Sequence, residues 1–179
     1  MPLASNALTT LEAVKEYLKI PLGTTVDDSK LEDLINSCST AIENYCGRKF
    51  KEQQFDEECD GTGTKYILLE QYPVKSIVSV SVDEVVLDSS EYKFKKNNGV
   101  IIRTNSVWPR GDINTNVSYI AGLSEIPADL ELACRHFVMS FFKADVASFS
   151  TTFSEGFVFR PEAMPAQVKA LVAPYKKVV

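Results

Sequence analysis

The longest amphipathic pattern in the chain runs from Ser29 to Phe50. Its apolar residues recur at spacings of three and four, which places them on one stripe of an α-helix. Ser29 and Glu32 match a capping box at the amino end, and Gly47 suits the left-handed residue that ends a helix. Most helical stability in a protein comes from burying such a stripe, so other elements must cover it. The stripe consists of Leu31, Leu34, Ile35, Cys38, Ile42, Tyr45 and Cys46.

Three other segments carry helical patterns. The first spans about 9–19, where Thr9 and Glu12 match a second capping box. The others span about 127–145 and about 165–173, and each begins with a proline, whose missing N–H costs nothing at that position. The apolar face of the 127–145 helix is the predicted cover for the 29–46 helix. That face consists of Leu130, Ala133, Cys134, Phe137, Val138, Phe141 and Phe142.

Between about 65 and 121 the period changes to short β-rich runs separated by turn residues. Asn98-Gly99 lies between two such runs and predicts a hairpin, because both residues tolerate positive φ. Along 76–82, strict alternation places the three valines on one face and Ile77 with two serines on the other. We therefore expect that strand to be largely covered on both faces.

Grouped strands between helices favour an α+β fold over a parallel α/β sheet. The sequence predicts one domain, 1–179, with a small bundle of three or four helices. An antiparallel β-unit, about 65–121, is inserted between the second and third helices. The helices expected are about 9–19, 29–46, 127–145 and 165–173.

Composition narrows the possible functions. The chain has 179 residues, 45% of them hydrophobic, which suffices for one sizeable core. A net charge of -5 argues against general binding to nucleic acid or membrane surfaces, because such proteins carry surplus Lys and Arg. No apolar run approaches the roughly 20 residues that span a bilayer. The first ten residues lack the features of a signal peptide, and we expect a reduced cytoplasmic product.

Catalytic and metal-binding patterns are weak. The single histidine, His136, lacks the partners that a general base or a zinc site requires. We therefore interpret it as a structural or surface residue. The cysteines include no C-x-x-C pair, and Cys38 and Cys46 lie about 12 Å apart along one helix, too far to share one zinc ion. Free cysteines are usually buried, and a core role is predicted for them. No cofactor is expected.

Two polar stretches resemble binding motifs only in part. Gly61 to Lys65 lacks the order of a phosphate loop and precedes a β-rich run rather than a helix, so a turn is predicted. Asp56, Glu57, Glu58 and Asp60 offer oxygen ligands, but their spacing does not match a calcium loop. A solvated acidic loop is the simpler interpretation.

The segment 148–164 fits neither period yet is rich in phenylalanine. It either packs back on its own domain or inserts into a neighbouring subunit or partner. Long irregular loops are usually functional or disordered, and aromatics with arginine are enriched at interface hot spots, which favours the interface. The residues in question are Phe149, Phe153, Phe157, Phe159 and Arg160.

The order of these segments resembles the head-tail connector family of long-tailed bacteriophages, also called head-completion or adaptor proteins. Each motif is weak alone, but their order and spacing cover nearly the whole chain. The motifs are L-E-A-V-K-E-Y-L-K-I at 11–20, D-D-S-K-L-E-D-L-I-N-S-C-S-T-A-I-E-N-Y-C-G-R-K-F at 27–50, Y-P-V-K-S-I-V-S-V-S-V-D at 72–83, V-S-Y-I-A-G-L at 117–123, I-P-A-D-L-E-L-A-C at 126–134 and P-A-Q-V-K-A-L-V-A-P-Y at 165–175.

The resemblance implies a single connector domain that catalyses no reaction. Family members form a ring, typically of twelve copies, beneath the portal protein, where they extend the DNA channel and dock the next neck or tail protein. It further implies a location at the head-tail junction of the virion after synthesis in the bacterial host cytoplasm, with DNA passing through without specific binding and no membrane partner. A ring needs heterologous interfaces, and the Phe-rich segment with Tyr175 is the expected contact.

Three alternatives stay open at this stage. One is a different neck or tail-completion protein. Another is a small hydrolase or metal enzyme, in which His136 and the 56–60 carboxylates converge. The third is a nucleic-acid-binding module with a basic surface hidden by the overall acidity.

Overall fold

The computed structural model describes residues 2–150 and 164–177, with the side chains of 144–150 excepted. This part of the chain forms four α-helices and seven β-strands, and the strands are grouped between the second and third helices. The strands make two antiparallel sheets. The predicted α+β fold is therefore confirmed. Within the described residues, none of the helices is long and apolar enough to cross a membrane.

The chain divides into two compact units. A helical unit combines Met1–Arg48 with Ile126–Val179, and a strand unit comprises Lys49–Glu125. The predicted β-region starts too late, because its first strand begins twelve residues before Lys65, at Gln53.

The helical unit buries the predicted stripe of the second helix. Its helices are α1 (Leu11–Leu18), α2 (Asp28–Cys46), α3 (Ala128–Ser150) and α4 (Ala166–Val172). α3 packs against α2 and α4, and α1 contacts both α2 and α3. The buried hydrophobic residues of these helices, among the side chains that the structure describes, are Val14, Leu31, Ile35, Cys38, Ile42, Cys46, Leu130, Ala133, Cys134, Phe137, Val138, Val168 and Val172.

Both predicted capping boxes are wrong. α1 is capped by Thr10, whose side chain accepts from the Ala13 N–H, because the Thr9 hydroxyl instead lies 3.3 Å from Glu131 Oε1. α2 begins at Asp28 rather than at Ser29, and its cap residue, Asp27, makes no side-chain cap bond.

Buried charges of the helical unit explain where α2 begins and what lies along it. Lys15, 3% exposed, pairs with the Asp28 carboxylate and donates from Nζ to the Leu22 carbonyl at 3.2 Å. Glu43, 2% exposed, accepts from Asn6 Nδ2 at 2.9 Å. Burying a charge is costly unless it is paired and hydrogen-bonded, so these contacts fix the first turn of α2 and the segment that precedes α1.

α3 is longer than predicted. Its backbone stays helical to Ser150, five residues past the expected end and into the segment predicted as a loop. Acidic residues Asp129 and Glu131 occupy its first turn, where negative charge is favourable. The remaining Phe-rich residues, 151–163, lie outside the described residues.

The strand unit contains two sheets around one core. The four-stranded sheet has the order β1-β7-β3-β4 and the three-stranded sheet the order β2-β6-β5. The core combines residues of both sheets with Leu69 and Trp108, which lie outside the strands. The sheet residues are Ile67, Val74, Val80, Ile101, Val117, Tyr119 and Ala121. The strands are β1 (Gln53–Gly61), β2 (Tyr66–Leu68), β3 (Val74–Val82), β4 (Val85–Val86), β5 (Tyr92–Lys95), β6 (Val100–Arg103) and β7 (Gly111–Ala121).

The acidic segment is a strand rather than the predicted loop. β1 pairs with β7 from Gln53 to Cys59, and its burial alternates, so that Phe55, Glu57 and Cys59 are half-buried while Asp56 and Glu58 are exposed. The charges conceal a period of two, which is the period of a strand with one covered face.

The expectation for 76–82 is also wrong in part. A register irregularity between Ile77 and Ser79 in the β3–β7 pairing shifts the alternation there. Ile77, Val80 and Val82 contact the core, whereas Val78 and Ser79 are exposed. β3 is thus covered on one face only. The predicted hairpin at Asn98-Gly99 is confirmed, with Gly99 at φ +65°.

The entry and exit of the strand unit lie side by side. The Leu123 N–H donates to the Phe50 carbonyl at 2.7 Å, and the Glu52 N–H donates to the Leu123 carbonyl at 3.3 Å. Gly122, at φ +121°, has no room for a side chain, since a Cβ there would lie 2.6 Å from the Lys51 carbonyl group. The two ends of the insertion are therefore joined by backbone hydrogen bonds.

Gly47 provides a test of the α2 terminus. It has φ +67°, and an added Cβ would make only an ordinary contact with Lys177 Cβ at 3.6 Å, so the penalty is conformational. We expect Gly47→Ala to lower the free energy of unfolding by about 1 kcal/mol. Chemical denaturation measures this. Gly23→Ala is the control, because nothing lies within 4 Å and its φ is not positive. Equal stability of both variants would contradict a left-handed conformation of Gly47 at the end of α2.

Candidate assembly surfaces

Glu57 connects β1 to the segment that follows β2. The Tyr119 hydroxyl donates to Glu57 Oε2 at 2.7 Å and accepts from the Gln71 N–H at 3.2 Å. The Glu70 N–H donates to both Glu57 carboxylate oxygens, at 3.0 and 3.1 Å. Burial, together with the bond to Glu57, holds the pKa of the Tyr119 hydroxyl far above its usual range. The carboxylate that sequence inspection assigned to a loop thus holds the strand unit together.

The outer face of the four-stranded sheet carries carboxylates along one edge. Strand register places Asp56 beside Ser118 and Ser79, and Glu58 beside Asn116 and Ser81. A depression of about 600 Å³ lies among these residues. We call this surface the carboxylate face, and it comprises Asp56, Glu58, Ser79, Ser81, Asn116 and Ser118.

The carboxylate face ends in exposed valines on the side away from β1. Val86 of β4 pairs with Ser81, and it is 68% exposed. Val78, at the register irregularity of β3, is 55% exposed. This side of the strand unit is therefore negatively charged at one edge and apolar at the other.

The outer face of the three-stranded sheet is apolar with a basic edge. Register aligns Tyr66 with Ile102 and Lys93, and Leu68 with Val100 and Lys95. Tyr66 and Leu68 are 57% and 67% exposed. We call this surface the lysine face, and it comprises Tyr66, Leu68, Lys93, Lys95, Val100 and Ile102.

Neither face was found from the sequence. The signal for each was an alternation within a strand, Phe-Asp-Glu-Glu-Cys in β1 and Tyr-Lys-Phe-Lys in β5. Which strands lie side by side depends on long-range pairing, and this decides what charges and apolar groups share a face.

Of the predicted interface residues, the structure describes the side chain of Tyr175 only. Its hydroxyl lies 2.8 Å from both carboxylate oxygens of Asp129. Burial and the Asp129 carboxylate raise the pKa of Tyr175 to about 12. Phe149 lies in the helical backbone of α3, and its side chain is outside the described part of the chain. Phe153, Phe157, Phe159 and Arg160 lie outside the described residues.

His136 packs against a tyrosine of another helix, a contact that could not be predicted from the sequence. Its ring lies edge-on to Tyr17 with centroids 5.4 Å apart, and the Tyr17 hydroxyl is 3.2 Å from Nδ1 and 3.3 Å from Nε2. The Arg135 guanidinium lies 5.7 Å from the same tyrosine ring. α1 and α3 are joined through this group.

The cysteines occupy protected sites. Cys38, Cys46 and Cys134 are buried, and Cys59 is half-buried. Burial raises the pKa of Cys134 to about 11, and burial with the Glu57 charge raises that of Cys59 to about 12. These thiols stay protonated near neutral pH, when a thiolate is what reacts or binds metal. Among the described residues, no group of three His, Cys, Asp or Glu side chains is arranged to hold a metal ion.

These features define a class of protein. Its polar side chains join elements of the fold to each other, and its most distinctive exposed features are extended sheet faces, which are suited to contacts between molecules. The exposed faces favour a protein that acts through contacts with other molecules.

A comparison with families of known proteins specifies the class. The chain belongs to the head completion protein family, whose sequence model matches residues 7–178. This membership confirms the predicted resemblance and identifies a structural head-tail joining protein. No curated protein matches the chain.

Solved structures with a similar fold come from gene transfer agent particles. One is a chain in the neck of the empty particle, computed with C6 symmetry, at 15% identity. Two more, each at 14% identity, are in the neck of the native particle, computed with C12 symmetry, and in the virion of the native particle. All three have a TM-score of 0.67 and cover 100% of this chain and 94% of the other chain. At this identity the likeness concerns the fold.

The Tyr119 hydroxyl offers a test of the Glu57 junction. Tyr119→Phe removes one bond to Glu57 and leaves the Gln71 N–H without its acceptor, and we expect a loss of about 1 to 3 kcal/mol in the free energy of unfolding. Urea titration measures the loss. Tyr66→Phe is the control, because Tyr66 is exposed on an edge strand. A Tyr119→Phe protein as stable as that control would refute the junction.

Proposed function

We propose that copies of this chain form a ring at the head-tail junction of a phage-like particle. In this function the ring lies under the portal protein, extends the DNA channel and presents a surface to the next neck or tail protein. The family match over residues 7–178 carries the proposal. It is supported by a fold that is shared over the full length of the chain with neck proteins of gene transfer agent particles.

A ring of twelve copies is the proposed assembly. The resemblance to head-tail connectors implies that number, and one similar fold is in a neck computed with C12 symmetry. The copies are made in the cytoplasm of the bacterial host and incorporated during virion assembly. The net charge of -5 suits a channel from which DNA must leave without being retained.

A structural function is favoured over a catalytic one. The hydrolase alternative required His136 and the 56–60 carboxylates to act together. His136 instead lies against Tyr17 within the helical unit, and Glu57 accepts hydrogen bonds within the strand unit. His136 and Glu57 therefore have roles in the fold, and membership of the head completion family favours a structural function.

Immunogold electron microscopy of virions from the source phage tests the location. Antibody to this chain is expected to label the head-tail junction alone. Disrupted particles serve as the control for antibody access. Label absent from intact virions, with access confirmed on disrupted ones, would overturn the structural function.

The Phe-rich segment is the proposed contact between subunits or with the portal. Replacing Phe153 and Phe157 by Ala removes two large apolar side chains of the kind that dominate interface energetics, and we expect assembly into virions to be lost while the monomer stays folded. Virion incorporation and circular dichroism measure the two properties. Thr151→Ala with Thr152→Ala is the matched control, since it changes the same segment but keeps its aromatics. Unchanged assembly of the Phe variant would contradict the proposal.

A further inference from the structure

The strand unit exposes two faces on opposite sides of one core. The lysine face belongs to the three-stranded sheet and the carboxylate face to the four-stranded sheet, and buried residues of both sheets meet between them. Each face has a charged edge strand, with Lys93 and Lys95 on β5 and Asp56 and Glu58 on β1. The charges are opposite in sign.

The apolar parts of the two faces lie at similar distances from the charged edges. On the lysine face, exposed Tyr66 and Leu68 lie on β2, two strands from β5. On the other side, exposed Val78 lies on β3, two strands from β1, and Val86 lies one strand further. Neighbouring strands are about 4.8 Å apart, so charge and apolar surface are separated by about 10 Å on the lysine face and by about 10 to 14 Å on the carboxylate face.

We propose that the lysine face of one copy binds the carboxylate face of the next copy in the ring. Lys93 and Lys95 lie against Asp56 and Glu58 of the neighbour, and the apolar surface of β2 covers the exposed valines of β3 and β4. This inference rests on the proposed ring and adds the surfaces that build it. It also covers the exposed Tyr66 and Leu68 with apolar side chains of the neighbour.

A contact between two different faces has a consequence for assembly. Such a contact is heterologous, and repeating it produces a closed ring when the rotation per copy divides a full turn. Two lysine faces repel each other, as do two carboxylate faces, so charge opposes the isologous dimer. Complementary charge mainly sets partner choice and register, while buried apolar groups contribute more of the affinity.

Charge reversal tests the pairing in virions. Variant one carries Lys93→Glu and Lys95→Glu, and variant two carries Asp56→Lys and Glu58→Lys. Each is supplied alone to a source phage that lacks its own copy. We expect each to lower the yield of tailed particles about 100-fold or more, because like charges then meet at every contact. Lys93→Arg with Lys95→Arg is the control and keeps the wild-type yield.

Supplying both reversed variants together tests whether the two faces contact each other. Variant one has two acidic faces and variant two has two basic faces, so alternating copies restore every attractive contact in a ring with an even number of copies. Recovery of the yield by the mixture, or by one chain with all four changes, supports the pairing. Thermal unfolding confirms that each variant is folded. Normal yield with either variant alone, or no recovery in the mixture, would overturn it.

Cross-linking separates failure of this inference from failure of the ring. Virions carrying Lys95→Cys and Glu58→Cys in a Cys59→Ser background are treated with a short bismaleimide. A ladder of multimers of this chain is expected from the double variant, and none from either single variant. Dimers from a single variant, links to another protein, or no ladder from particles labelled by antibody at the junction would refute the face pairing alone. Particles without label at the junction would refute the ring itself.

Discussion

The pairing of β7 with two strands at once constrains the rest of the strand unit. From Thr115 to Ala121 it pairs with β1 on one side and with β3 on the other. A slip of one residue in either pairing would move every side chain of that strand to the opposite face of the sheet. The position of Asp56 and Glu58 outside the core, and of Glu57 at its edge, follows from this register. Tyr119 of β7 reinforces it through its bond to Glu57.

The helical unit depends on paired polar groups as well as on its apolar core. Lys15 and Glu43 are almost completely buried, and each is held by named partners from another segment. Removing one partner of such a pair leaves a buried charge uncompensated, which makes alternative packings costly. Apolar contacts alone tolerate sliding of one helix along another, whereas these bonds select one arrangement of α1, α2 and the segment before α1.

The amphipathic helices could be predicted because their information is local. The stripe of α2 and the left-handed Gly47 follow from spacing and from one residue type. The capping residues could not be predicted, because the Thr9 hydroxyl donates to Glu131, a residue 122 positions away. β1 was missed because its outward residues are nearly all charged, and pairing with β7 stabilises it more than any strand propensity of its own. The two sheet faces were invisible for the same reason. Family resemblance was recognisable because the order of many weak local signals survives where long-range detail does not.

The closeness of Phe50 and Leu123 affects how this protein changes over time. A segment whose two ends are neighbours can be removed or replaced as a unit, because a short turn is enough to close the gap. The surfaces carried by the strand unit are thus free to diverge under selection while the helices keep their core. An exchange of the strand unit would therefore bring new surfaces to an unchanged helical core.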